Sequence, residues 1–197
     1  METPVKRLLA CLFLAPVLLA QAPAGLRLGD PCPAFSLPGT DGKLHGPESP
    51  APLMVVFLST ECPYVMATQD RINAYAKKYA GRVGVFGINA NDVDTHAKES
   101  LAEMQAQARE QGFVFPYLKD GPQTVARAFG TACTPDFFLY DSHRRLQYRG
   151  RLDDNWKDAT RVTRQDLKEA IDGVLAGREP LETQYPSMGC SIKWRPR

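Results

Sequence analysis

The sequence has little of what most binding chemistries need. No basic run and no aromatic–basic interleaving are present, and no acidic tail, so nothing argues for a nucleic-acid partner. The three histidines, His45, His96 and His143, have no metal-ligand spacing, so no metal and no cofactor are expected. No internal repeat or low-complexity block appears. The paired Cys-x-x-Cys motif is also missing, because Val65 stands three residues after Cys62. What remains is a nearly neutral chain of 197 residues with formal charge +2 and 44% hydrophobic composition. That is enough for one medium domain with its own core.

The N-terminus departs from this balance. Lys6 and Arg7 precede an apolar run from Leu8 to Ala20, followed by the small residues Ala22 to Ala24. The pattern reads as a secretory signal peptide over residues 1–24, cut near Ala22 or Ala24. A retained anchor is the rival, but the run falls short of the ~20 residues a membrane span needs, so no stable span is expected. Cys11 would leave with the signal. Cys32, Cys62, Cys133 and Cys190 would then lie in a periplasmic or extracellular setting, where disulfides persist. Their pairing is open.

Past Pro52, strand and helix patterns alternate. Leu53 to Leu58 is a continuous apolar strand, and the turn Ser59-Thr60-Glu61 leads to Cys62 and a helix from about Pro63 to Tyr79. Val83 to Asn89 reads as a second core strand, Lys98 to Gln111 as a helix, and Gln123 to Phe129 as a short helix. Phe137 to Tyr140 and Leu146 to Arg149 form a hairpin. A last helix begins at Thr163, where Thr163 and Asp166 fit a capping box. This order implies a mixed sheet flanked by helices. Asp153 to Arg161 reads as a polar insertion, with Asp153 and Asp154 a solvated turn. Residues 25–178 form the domain, and residues 179–197 are expected to fold back on it, with Ile192 and Trp194 as alternating anchors after Gly189.

Cys62 sits where a strand hands over to a helix. Free backbone N–H groups and the positive helix end favour a negatively charged sulfur there, the nucleophilic form. The second clue is Thr134-Pro135 immediately before a strand. Asn89, Asn91 and Asp92 follow a strand at its carboxyl end, where open α/β sheets place ligands, although loop capping explains them as well.

A strand-Cys-helix unit followed by Thr-Pro, a hairpin and a helix resembles the thioredoxin fold. Leu28-Gly29-Asp30-Pro31, Phe35-Ser36-Leu37, Cys62-Pro63-Tyr64-Val65, Cys133-Thr134-Pro135-Asp136 and Gly189-Cys190-Ser191 together resemble the redoxin branch, which includes alkyl hydroperoxide reductases and peroxiredoxin-like proteins. The resemblance implies an α/β thioredoxin-like fold, with Thr134-Pro135 packed beside Cys62 and Cys133 within possible disulfide reach of it. It implies an exported thiol–disulfide oxidoreductase in which Cys62 attacks a disulfide or hydroperoxide and Cys133 or Cys190 resolves the product. Ser59, Thr60, Thr134 and Pro135 would form the substrate-binding set. A thiol or disulfide protein, or a small hydroperoxide, would be the substrate, and an unidentified thiol the reductant. Val55 replaces the peroxiredoxin proline, and Pro135 stands near the place of the peroxide-binding arginine, so peroxide reduction is expected to be weak at most. A copper-handling member of the fold and a non-catalytic binding module are the alternatives.

Overall fold

The computed structural model describes residues 25–196; the segment read as a signal peptide lies outside the described residues. A five-stranded sheet runs β5-β4-β3-β7-β8. Its members are β3 (Leu53–Phe57), β4 (Gly84–Asn89), β5 (Tyr117–Lys119), β7 (Asp136–Tyr140) and β8 (Leu146–Gly150). β3 pairs in parallel with β4 and antiparallel with β7. A short hairpin of β1 (Leu37–Pro38) and β2 (Leu44–His45) precedes the sheet.

The apolar run over β3 follows from its central place. Met54, Val56 and Leu58 enter one core cluster with Val65, Ile72, Leu167 and Ile171. Leu53, Val55 and Phe57 enter the other with Phe129, Phe138 and Tyr140. A strand covered on both faces has no polar side to alternate with. The first cluster holds α1 (Pro63–Lys78) and α4 (Asp166–Leu175) against the sheet, with Met104 of α2 (Leu101–Glu110). The second is centred on α3 (Thr124–Phe129), where the Phe129 ring meets Phe57, Phe138 and Tyr140 at 5.4, 5.1 and 6.2 Å between centroids. Among the described residues no helix is long and apolar enough to cross a membrane.

Local details differ from the sequence reading in three places. The residues before α2 form a separate 3-10 turn, Ala97–Glu99, and Ser100 caps the helix by accepting from the Glu103 N–H at 3.3 Å. The Thr163–Asp166 capping box does not form. Thr163 gives its hydroxyl to Asp154, and Asp166 is taken by Arg151 at 2.7 Å and Arg164 at 2.5 Å. Asp153 is buried rather than solvated, because Arg71 of α1 reaches over to pair with it. A cation supplied by another element stabilises the charge that burial would otherwise penalise.

Candidate active site

Cys62 is the N-cap of α1, with Pro63 opening the helix and no acidic residue in the first turn. A proline fits there because its missing N–H would have had no helical partner. The residue is 1% exposed. Its S–H donates to the carbonyl oxygen of Thr134 at 3.0 Å, and the Thr134–Pro135 peptide is cis.

The C-terminal tail completes the site. β9 (Cys190–Ser191) pairs antiparallel with β6 (Cys133–Thr134), in a register that puts Cys190 opposite Thr134. Thr134 therefore accepts from the Cys62 thiol and lies opposite Cys190, and Cys190, half-buried, packs against the cluster that contains Cys62. Burial, and then the contact with Cys62, push the Cys190 thiol up to about 11. Cys133 precedes Thr134 on β6 and lines a separate cavity of about 290 Å³ with Asp136, Arg149 and Ser187. Burial and then the Asp136 carboxylate push Cys133 up to about 12. Cys32 packs against the opposite face of the sheet, and burial raises it to about 11. All four cysteines of the described residues are free thiols.

Ser59 and Thr60, expected to face substrate, turn inward instead. Ser59 donates to Glu99 at 2.5 Å; Thr60 donates its N–H at 3.0 Å and its hydroxyl at 2.9 Å to the same carboxylate. Asn89 and Asn91 add side-chain N–H donors at 2.5 and 2.9 Å. Burial alone would raise Glu99, but these donors outweigh it and hold the carboxyl below its ordinary range. Lys119 closes the group, donating to Asn89 Oδ1, the Asn91 carbonyl and the Glu99 carbonyl at 2.9, 2.7 and 2.8 Å. Glu99 and Lys119 carry no motif, and sequence reasoning passed over both. No local signal marked them, since Glu99 and Lys119 lie 8 and 28 positions beyond Asn91. Glu61, by contrast, is an exposed turn residue beside the still more exposed Lys98, 3.8 Å away. Among the described residues no group of three or more His, Cys, Asp or Glu is placed to hold a metal.

The raised thiols give a measurable signature. At pH 8 a thiol titrating near 11 is roughly one-thousandth ionised, and only the thiolate alkylates. Iodoacetamide rates at Cys32, Cys133 and Cys190 in the reduced protein should therefore climb about tenfold per pH unit beyond pH 9. Mass spectrometry of each peptide reads this, and plateaus near pH 9 would contradict it.

The Redoxin family model matches residues 27–171. A hypothetical protein from Sinorhizobium meliloti 1021 is 42% identical, with TM-score 0.82 over 87% of this chain and 97% of that one. An uncharacterized conserved protein from Geobacillus kaustophilus is 37% identical, with TM-score 0.82 over 90% of this chain and 95% of that one. A thiol:disulfide interchange protein of the thioredoxin family from Chlorobium tepidum shares the fold at 19% identity and TM-score 0.58, over 77% of this chain and 99% of that one. No curated protein matches. With a mixed sheet, a cysteine capping α1 and a Thr-Pro turn against its sulfur, the chain belongs to the redoxin family of the thioredoxin-like superfamily.

Proposed function

We propose that the protein is an exported thiol–disulfide oxidoreductase in which Cys62 and Cys190 form the redox pair. The observation that carries this reading is the register of β6 with β9, which sets Cys190 opposite the residue whose carbonyl holds the Cys62 thiol. Family membership supports the reaction class. The basic and apolar N-terminal segment supports export.

The Cys62 thiolate attacks one sulfur of a substrate disulfide, forming a mixed disulfide and releasing the other substrate sulfur as a thiolate. Cys190, after losing its proton, attacks Cys62 Sγ. The Cys62–Cys190 bond forms, the mixed disulfide breaks, and the second substrate sulfur leaves as a thiolate that takes up a proton. One substrate disulfide has become two thiols while one protein dithiol has become a disulfide. An external thiol reductant reverses the change in the protein. The helix N-terminus stabilises negative sulfur whenever Cys62 is the leaving group. Thr134 and Pro135 present the edge against which the substrate lies. Cys133 is assigned no step, because it stands one residue out of register with Cys190 and lines the cavity with Asp136, Arg149 and Ser187.

Cys190→Ser separates the two steps. The variant should still attack a disulfide but should stall as the mixed species, seen as a stable adduct of Cys62 with glutathione after incubation with oxidised glutathione. Adduct on Cys133 alone, or resolution as fast as in the unaltered protein, would contradict the assignment.

A further inference from the structure

Cys62 is 1% exposed, yet the reaction requires it to meet a substrate disulfide. The tail strand that carries Cys190 packs at this thiol, so what holds the tail matters. Both backbone groups of Lys193 are held by other parts of the chain. Its N–H donates to Asn91 Oδ1 at 2.8 Å, and its carbonyl accepts from the Asp92 N–H at 2.9 Å and from Gln123 Nε2 at 2.8 Å. Asn91 turns its Nδ2 the other way, to Glu99 at 2.9 Å. That carboxylate also holds Ser59 and Thr60, the residues that lead into Cys62. One amide and one carboxylate thus join the loop bearing Cys62 to the tail bearing Cys190.

The amide has one usable orientation. Reversed, its oxygen would face the Glu99 carboxylate and its N–H₂ would face the Lys193 N–H, losing both bonds. Asn91 and Glu99 are both buried, so water does not replace a lost partner cheaply. Gln123, the neighbouring tail contact, sits in the left-handed region at φ +61° and also donates to the Ala90 carbonyl at 2.6 Å. A non-glycine residue is uncommon there, and its side-chain bonds accompany that conformation.

We propose that Asn91 and Glu99 form a latch: positioning residues that hold the tail against Cys62, and so set both the access to that thiol and the strength of the Cys62–Cys190 disulfide. The inference rests on the Cys62–Cys190 reading above. In the closed, reduced state the thiols are held together. Oxidation removes one proton and one electron from each, forms the S–S bond, and reduces a substrate disulfide to two thiols. A docked tail keeps the second thiol at high effective concentration and favours the protein disulfide. A lifted tail exposes Cys62 and lowers that concentration.

The two consequences run in opposite directions, which makes the latch testable in the full chain. Asn91→Ala leaves the Lys193 N–H unpaired. It should speed iodoacetamide alkylation of Cys62 about tenfold and weaken the Cys62–Cys190 disulfide in glutathione mixtures about tenfold, ~30 mV for this couple. Alkylation of Cys32, on the far face of the sheet, should not change, whereas general loosening would raise it too. Tyr185→Phe removes a tail bond outside the latch, Arg164 to the Tyr185 hydroxyl at 2.7 Å, and should change neither reading. Glu99→Gln should act through the same path, so that the double variant is no more affected than the stronger single one. Should Glu99→Gln fail to fold, Asn91→Ala with the Cys32 reference still decides the question. Unchanged Cys62 alkylation in Asn91→Ala, or Cys32 rising in step with it, overturns the latch. A wild-type protein that forms no Cys62–Cys190 disulfide at any glutathione ratio overturns the proposed function instead, and the alkylation reading still tests the latch alone.

Discussion

Cys62→Ser is expected to lower disulfide reductase turnover on the order of 10³-fold or more, because no covalent route remains once the nucleophile is gone. The hydroxyl preserves size and can still donate to the Thr134 carbonyl, which the thiol does at 3.0 Å, so the fold should survive. What it cannot supply is an anionic sulfur that both attacks and leaves. Turnover of a fluorescent disulfide substrate with dithiothreitol as reductant measures the effect. Cys133→Ser in the same assay should retain activity within about twofold, since Cys133 makes and breaks no bond in the proposed reaction and serine keeps its size. A Cys62→Ser variant with more than a tenth of normal turnover would contradict the assignment, and so would a Cys133→Ser variant as weak as it.

Gly189→Ala should have the next largest effect. A β-carbon at Gly189 would run into the carbonyl of Thr134, with the Pro135 nitrogen 3.2 Å away. Both are backbone atoms of the cis-Pro turn that cannot swing aside as a side chain would. That carbonyl is also the acceptor for Cys62. The tail would have to move out, breaking the pairing of Thr134 with Cys190. Cys190 would then ride on a flexible tether, and its effective concentration at Cys62 should fall toward the ~mM range of such linkers. The equilibrium constant for the Cys62–Cys190 disulfide in glutathione mixtures should drop on the order of 100-fold, more than for Asn91→Ala, which leaves the β6–β9 pairing itself sterically unobstructed. A disulfide as stable as in the unaltered protein would show that the tail's approach to the turn is not what brings the thiols together.

The larger units were legible because they rest on local, repeated signals. The apolar run over β3 announces a strand covered on both faces, and its burial in both core clusters is the reason. Cys62 could be placed at a helix start from the strand, the turn and the proline that follow one another in sequence. The Thr163–Asp166 box was misleading for a physical reason. A capping box is a local offer, and charged partners displace it: Arg164 from within the same segment and Arg151 from just past the end of β8 take Asp166, and Asp154 takes Thr163. Asp153 misled in the same way, since Arg71 lies 82 positions away in sequence. Ser59 and Thr60 occupied the right loop, but their direction depended on Glu99, about 40 positions on.

By itself the sequence determined the α/β class, the order of the four helices and the four longer strands β3, β4, β7 and β8, and the thiol at the start of α1, because hydrophobic period, turn residues and proline placement act over a few neighbours, whereas the two- and three-residue strands carry too little pattern to read. It left two candidate partners for that thiol, Cys133 and Cys190. What the tertiary structure adds is a two-residue strand whose register sets Cys190 opposite Thr134, while Cys133 lines a cavity with Asp136, Arg149 and Ser187; the proposed pairing rests on that register. That register is held by Asn91, Asp92 and Gln123 binding Lys193, and by the Ile192 N–H bonded to the Ala132 carbonyl at 3.0 Å. Each of these bonds spans a distance along the chain that no local pattern encodes. Hydrogen bonds between distant segments exist only once the sheet has brought the ends of its strands together.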